Sequence, residues 1–267
     1  MRRLLIVAGS DSGGGAGIQA DIKTATAYGV YAATAITAIT VQDTLGVHGV
    51  HAVPDETIAA QLRVVLDDIG ADAVKTGMLA SAAVIALVAA GLEKHAPGVP
   101  LVVDPVMVAK GGARLIDEGA VAALKDLLIP RATLLTPNAP EAAALLGVAE
   151  LNSVDDLLIA GRELKAMGAS AVLMKGGHIQ GETVADVLIS DDGEDVFSHA
   201  RIHTQHTHGT GCTLASAIAS GLALGWTLRD AVETARAYVI KAIETAPGFG
   251  EGHGPLNHMH GIGRSWT

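Results

Sequence analysis

The sequence predicts an α/β fold in which a largely parallel sheet is covered by helices on both faces. Three observations lead there. Short β-rich apolar runs alternate with helical patterns at the spacing of strand–helix–strand units. The first run, Leu4 to Ala8, is apolar at every position, as expected of a strand buried on both faces. Apolar side chain is also plentiful: 49% of the 267 residues are hydrophobic and 17% charged, enough to fill a core and to exclude disorder.

The elements follow in order. The first strand ends in Gly9, and a glycine-rich turn leads to a helical pattern from Gly17 to Tyr28, capped by Gly29. Pro54 opens a helical run to Ile69, and Asp72 to Thr76 reads as a strand. Ser81 to His95 is helical, Pro100 to Val103 a strand, Glu118 to Leu128 helical and Ala132 to Thr136 a strand. Asn138 to Leu146 and Val154 to Met167 read as helices, and Ala171 to Met174 as a strand. Val184 to Ser190 and Asp195 to Phe197 form a hairpin pattern around Asp191-Asp192-Gly193. Gly211 to Ala223 and Leu228 to Ala246 are the last helical runs, and the Gly- and His-rich stretch from Gly250 to Thr267 receives no assignment. No linker, low-complexity block or fixed-period repeat divides the chain, so one domain over residues 1–267 is expected.

Charge narrows the function classes. With 28 acidic and 18 basic residues the formal charge is −10, which argues against a nucleic-acid or anionic-membrane partner. No Lys/Arg run exceeds Arg2-Arg3. The single cysteine cannot build a disulfide framework, which favours a reducing compartment. The apolar start stops at Gly9 without a cleavage site, and Ala82 to Leu92 is too short to span a bilayer. A cytoplasmic protein is expected.

Four segments carry chemistry. Gly9-Ser-Asp-Ser-Gly-Gly-Gly-Ala-Gly17, between a strand and a helix, reads either as a tight turn or as a loop whose N–H groups approach a ligand. It matches neither the dinucleotide-binding glycine pattern nor a Walker A loop. His206-Thr-His-Gly-Thr-Gly-Cys212 leads into an apolar helix. Gly209, Thr210 and Gly211 would present N–H donors to one point, suited to an anion or a transferring phosphoryl group. Cys212, in the first turn, reads as a small buried hydrophobe or as a thiol whose pKa the helix start lowers. In Thr136-Pro-Asn-Ala-Pro-Glu141, Asn138 and Glu141 would hold a hydrated cation near phosphates, or would cap their own helix; both readings stand. Lys175, ahead of Gly176 and Gly177, and Asp104, ahead of Pro105, end buried strands, where ligands of open parallel sheets bind. The histidines 203, 206, 208, 258 and 260 lack Cys or acidic partners at zinc-like intervals, and there is no Gly-x-Ser-x-Gly elbow.

In this order these segments resemble the ribokinase superfamily of small-molecule kinases, and within it the hydroxymethylpyrimidine/phosphomethylpyrimidine kinase branch. The resemblance rests on residues 5–21, Gln42 after the second strand, Lys75-Thr-Gly-Met-Leu79, Asp104-Pro-Val-Met107, Thr136-Pro-Asn138 with Glu141, Lys175-Gly-Gly-His178 and His208-Gly-Thr-Gly-Cys212. It implies a three-layer α/β/α fold, ATP with Mg²⁺, a homodimer, and two successive phosphoryl transfers. The first goes to the hydroxymethyl of 4-amino-5-hydroxymethyl-2-methylpyrimidine and the second to the resulting monophosphate. It further implies Gly9, Gln42, Asp21, Met78 and Val106 at the substrate end. Gly209, Thr210 and Gly211 would be the anion hole and Cys212 the base. Lys175, Asn138 and Asp104 would lie along the ATP phosphates, with Glu141 and Asp104 toward Mg²⁺.

Phosphoryl transfer needs positioning and charge neutralisation more than covalent help, so a helix start rich in N–H donors suits it. Three other readings remain. A pyridoxal-type vitamin B6 kinase uses a similar acceptor, and Gln42 suits the aminopyrimidine better. A non-catalytic pyrimidine- or nucleotide-binding regulator would not need Asn138, Glu141, Lys175 and Cys212 together. A Cys-nucleophile transferase or hydrolase would need a base such as His208 beside the thiol.

Overall fold

A computed structural model describes residues 1–107 and 118–262. From the N-terminus come β1 (Arg3–Asp11), α1 (Gly17–Ala27), β2 (Tyr31–Gln42), β3 (Val47–Ala52), α2 (Asp55–Asp68), β4 (Ala73–Thr76) and α3 (Ala82–His95). Then follow β5 (Leu101–Val103), α4 (Glu118–Ala123), β6 (Leu134–Leu135), α5 (Ala139–Leu146), α6 (Val154–Ala166) and β7 (Val172–Met174). The last elements are the hairpin β8 (Thr183–Ser190) and β9 (Gly193–Ala200), then α7 (Thr210–Ala223) and α8 (Leu228–Glu244).

The strands form one sheet in the order β3-β2-β1-β4-β5-β6-β7-β8-β9. Neighbours from β2 to β7 pair in parallel, while β3, β8 and β9 join antiparallel at the two edges. Side chains alternate across β1. Leu5 and Val7 join a core beneath α2, α3, α5 and α6, whereas Leu4, Ile6 and Ala8 join a second core beneath α1, α7 and α8. The result is the expected three-layer α/β/α arrangement. No helix among the described residues is long and apolar enough to cross a membrane.

Most elements lie within a residue or two of their expected bounds because local chemistry marks them. Ser81 caps α3 by accepting from the Val84 N–H, and Gly147 ends α5 in the left-handed region at φ 70°. Two regions differ. The run expected as one helix to Leu128 is α-helical only to Ala123. It then widens into a π-turn over Leu124–Leu128, in which the Ile129 N–H reaches the Leu124 carbonyl, ahead of Pro130, which brings no N–H. β2 runs twelve residues and β3 folds back on it, a pair that the Ala/Thr-rich pattern of residues 31–42 does not announce.

Candidate functional site

The carboxyl ends of β1, β4, β5 and β7 and the start of α7 open onto a cavity of about 840 Å³. The parallel register brings them level: β1 pairs with β4 from Leu4↔Ala73 to Val7↔Thr76, and Thr76 pairs with Val103 just before Asp104. A parallel bridge between Asn138 and Lys175 extends the row. Of the expected site residues, Gly9, Gln42, Met78, Val106, Asp104, Asn138, Glu141, Lys175, Gly209, Thr210, Gly211 and Cys212 all line this cavity.

Asp21 does not reach the wall. It is fully buried on α1, where it accepts from Lys75 Nζ at 2.9 and 3.0 Å and from Ser216 Oγ at 2.7 Å. Its place is beneath Lys75, which itself lines the cavity. Burial alone would drive the Lys75 ammonium toward neutrality, but Asp21, Cys212 and Asp104 outweigh it and raise its pKa.

The two glycine-rich segments pack face to face. Gly209, the N-cap of α7, has φ 81°, and a Cβ there would lie 1.8 Å from the Gly15 carbonyl oxygen. Only glycine permits both the conformation and the approach. Cys212 is the third residue of α7, at the cavity wall and partly exposed. The expected lowering of its pKa does not hold. Burial pushes the thiol up to about 11, further than Lys75 and the Gly17 N–H pull it down, while Asp21 and Asp104 push the same way as burial.

Beside Gly211 at the same helix start, Lys175 Nζ lies 2.9 Å from Asp104 Oδ1 and 3.7 Å from Glu141 Oε2. The two carboxylates more than offset the burial that would otherwise lower the Lys175 pKa. Asn138 and Glu141 form a capping box: Asn138 Oδ1 accepts from the Glu141 N–H at 2.9 Å, and Glu141 Oε2 accepts from the Asn138 N–H at 2.8 Å. Capping and a place at the cavity therefore coexist. Burial, with Asp104 adding to it, pushes the Glu141 carboxyl up to about 7 against the pull of Lys175.

Three groups escaped sequence reasoning. Lys75 was singled out as part of the Lys75–Leu79 motif, but nothing in the sequence showed that it pairs with Asp21 beneath the cavity. Asp11 and His208 meet at 2.8 Å, with Gln42 beside them, across 197 positions of sequence. At the far end of the cavity Arg236 binds Asp186 at 2.7 Å and lies 3.0 Å from His199 Nδ1, and no local pattern signals that cluster. Of the other histidines, His258 Nε2 is 3.0 Å from Thr213 Oγ1, His260 Nε2 is 3.0 Å from the Tyr238 carbonyl, and His203, which lines the cavity, pairs with Glu182.

The chain is similar to known proteins over nearly its whole length. Residues 11–257 match the family model described as phosphomethylpyrimidine kinase. The chain is 51% identical, over 96% of its length, to the thiamine biosynthesis bifunctional protein ThiED of Geobacter sulfurreducens, of which it spans about half (52%). It is 48% identical to the hydroxymethylpyrimidine/phosphomethylpyrimidine kinase of Bacillus subtilis, covering 96% of this chain and 94% of that one. Among solved structures, an ADP complex of Bacillus subtilis pyridoxal kinase superposes with a TM-score of 0.91 at 38% identity, covering 97% of this chain and 98% of that one. With a family match running from the first glycine segment past the last helix, the chain belongs to the phosphomethylpyrimidine kinase family.

Proposed function

We propose that this protein transfers the γ-phosphoryl group of ATP to the hydroxymethyl of 4-amino-5-hydroxymethyl-2-methylpyrimidine, and then a second one to the monophosphate, as a cytoplasmic single-domain enzyme that works as a homodimer. The observation that carries the reading is convergence. An N–H-rich helix start with its thiol, an amide suited to an aminopyrimidine edge, and a Lys between two carboxylates all face one cavity. Gln42 meets the ring edge, with Gly9, Met78 and Val106 around it, and Cys212 faces the hydroxymethyl. The N–H groups of Gly209, Gly211 and Cys212 hold the transferring group as its charge spreads, while that of Thr210, expected to join them, turns to the Thr207 carbonyl at 3.3 Å. Lys175 meets the phosphates.

Cys212 orients the hydroxyl, and only in its thiolate form does Sγ receive the hydroxyl proton. In a loose transition state that proton leaves late, so a small thiolate fraction suffices. Lys75, kept in place by Asp21, favours that fraction without overcoming the burial that holds the thiol at about 11. The donor set also fits Mg²⁺. Asp104 and Glu141 share one ammonium, which leaves an excess of hard carboxylate oxygen, and Mg²⁺ is commonly held by one or two carboxylates plus substrate phosphates. Asp104, Glu141 and Asn138 would hold the ion, directly or through water, and when bound it neutralises phosphate charge.

A pyridoxal-type activity is the second reading, favoured by the 38% identity to the Bacillus subtilis pyridoxal kinase. Steady-state ADP release with each alcohol separates the two. The proposal expects kcat/KM for the aminopyrimidine alcohol to exceed that for pyridoxine by at least about tenfold. The reverse order would overturn it.

A further inference from the structure

The Gln42 backbone is clamped on both sides by one hydroxyl. Ser12 Oγ accepts from the Gln42 N–H at 2.8 Å and donates to the Gln42 carbonyl at 2.7 Å. Its side-chain amide therefore meets its surroundings from a set position. Nε2 lies 3.3 Å from His208 Nε2, and Oε1 lies 3.1 Å from Thr40 Oγ1.

Both contacts can be assigned by counting hydrogens. Asp11 accepts from the N–H groups of Gly13 at 2.8 Å, Gly15 at 3.1 Å and Ala16 at 2.8 Å. A carboxylate so surrounded stays ionised and only accepts. His208 Nε2, 2.8 Å from Asp11 Oδ2, therefore carries a hydrogen and donates it. The Gln42 NH₂ group beside it would be a second donor facing the first. At the other end Thr40 Oγ1 has one hydrogen for two acceptors, the Ser10 carbonyl at 2.9 Å and the Gln42 amide oxygen at 3.1 Å; given to the nearer, it leaves a lone pair opposite the amide oxygen. A single 180° turn of the amide lets its NH₂ donate to Thr40 and sets its carbonyl against the His208 N–H, as second acceptor of the hydrogen that Asp11 takes at 2.8 Å. Asp11 holds the imidazole in turn, and Gly15 packs so closely on it that a Cβ there would fall 2.5 Å from its Cδ2.

We propose that His208 is a positioning residue for the substrate ring. With Asp11 and Thr40 it holds the Gln42 amide in one orientation, carbonyl toward His208 and NH₂ toward Thr40, and this selects an acceptor whose edge carries an N–H donor beside a ring nitrogen. The inference rests on the reading that Gln42 meets the ring. An amide free to turn accepts either order of donor and acceptor, whereas a locked one reads a single order. An aminopyrimidine presents its exocyclic amine next to a ring nitrogen; pyridoxine has no such amine.

The test measures kcat and KM for the aminopyrimidine alcohol and for pyridoxine in wild type, His208→Phe, His208→Gln, Thr40→Val and Gln42→Ala, and in His208→Phe combined with Gln42→Ala. The ratio of the two kcat/KM values falls about tenfold in His208→Phe and in Thr40→Val, chiefly through KM for the aminopyrimidine. His208→Gln, which returns an N–H near the place of Nε2, restores most of the ratio. In the Gln42→Ala background, His208→Phe changes the ratio no further. An unchanged ratio in His208→Phe and Thr40→Val, or an equal fall with and without Gln42, overturns the inference. If His208→Phe fails to fold, Thr40→Val with His208→Gln decides it. A wild-type protein inert toward the aminopyrimidine alcohol sinks the function reading and this inference together. Discrimination that persists in the variants sinks this inference alone.

Discussion

At Cys212 three influences meet: the positive end of a helix, the Lys75 ammonium and a largely enclosed setting. Burial prevails and pushes the thiol up to about 11. The rate of alkylation by iodoacetamide should therefore climb with pH toward about 11, with little reaction near neutrality. Replacing Lys75→Met alone leaves the buried Asp21 without its cation, at a cost of about 3–5 kcal/mol. The pair Lys75→Met with Asp21→Asn removes both charges and keeps an acceptor for Ser216. In that variant the alkylation midpoint should move higher still, and a midpoint at or below 8 in either protein contradicts this electrostatic account. The catalytic consequence is tested separately. Cys212→Ala should lower kcat by about 10²- to 10⁴-fold with KM for the alcohol changed only a few-fold. Near-normal kcat would remove Cys212 from the chemistry.

At the scale of elements, the start of α7 owes its shape to neighbours far away in sequence. Behind it runs the chain from 253 to 258, hydrogen-bonded to Thr44 through His253 and to the His208 N–H through the Gly254 carbonyl. His258 anchors this strap. Its ring meets Thr213, the residue after Cys212, and its carbonyl accepts from the Tyr238 hydroxyl at 2.7 Å. Burial, helped by Lys23 and His260, lowers the His258 pKa to about 4, against about 6.5 in an unfolded chain. Between those values the unfolded state binds the extra proton, so stability rises with pH there and is lost as pH falls. The contribution amounts to about 2 kcal/mol between pH 7 and pH 5. Urea unfolding of wild type should show this loss, and His258→Gln should be flatter over the same interval. Parallel slopes in the two proteins would mean that His258 is not held neutral.

For the whole molecule, the layers were legible because most strands of the parallel core are short apolar runs and most helices carry a start or stop signal. Ser81 and Gly147 are examples. The β2–β3 pair was not, because a run such as Ala-Ala-Thr-Ala-Ile-Thr has neither clear period; its pairing comes from the register with β1 and β3. In the site, the glycine segments, Asp104, Asn138, Glu141, Lys175 and Cys212 were legible as strand ends and helix starts, and all reach the cavity. What sequence could not give was the second row: Lys75 on Asp21, and His208 between Asp11 and Gln42. Those contacts join residues 54 and 197 positions apart, and only the folded sheet with its helices brings them together. The same distance explains the error over Cys212, since a helix start is visible in sequence and the burial around it is not. The most direct measurement is the mass of the products formed from ATP with the aminopyrimidine alcohol or with pyridoxine. The account predicts a pyrimidine carrying one phosphate and then two, formed ahead of any pyridoxine phosphate. A pyrimidine left unmodified while pyridoxine is phosphorylated would contradict it.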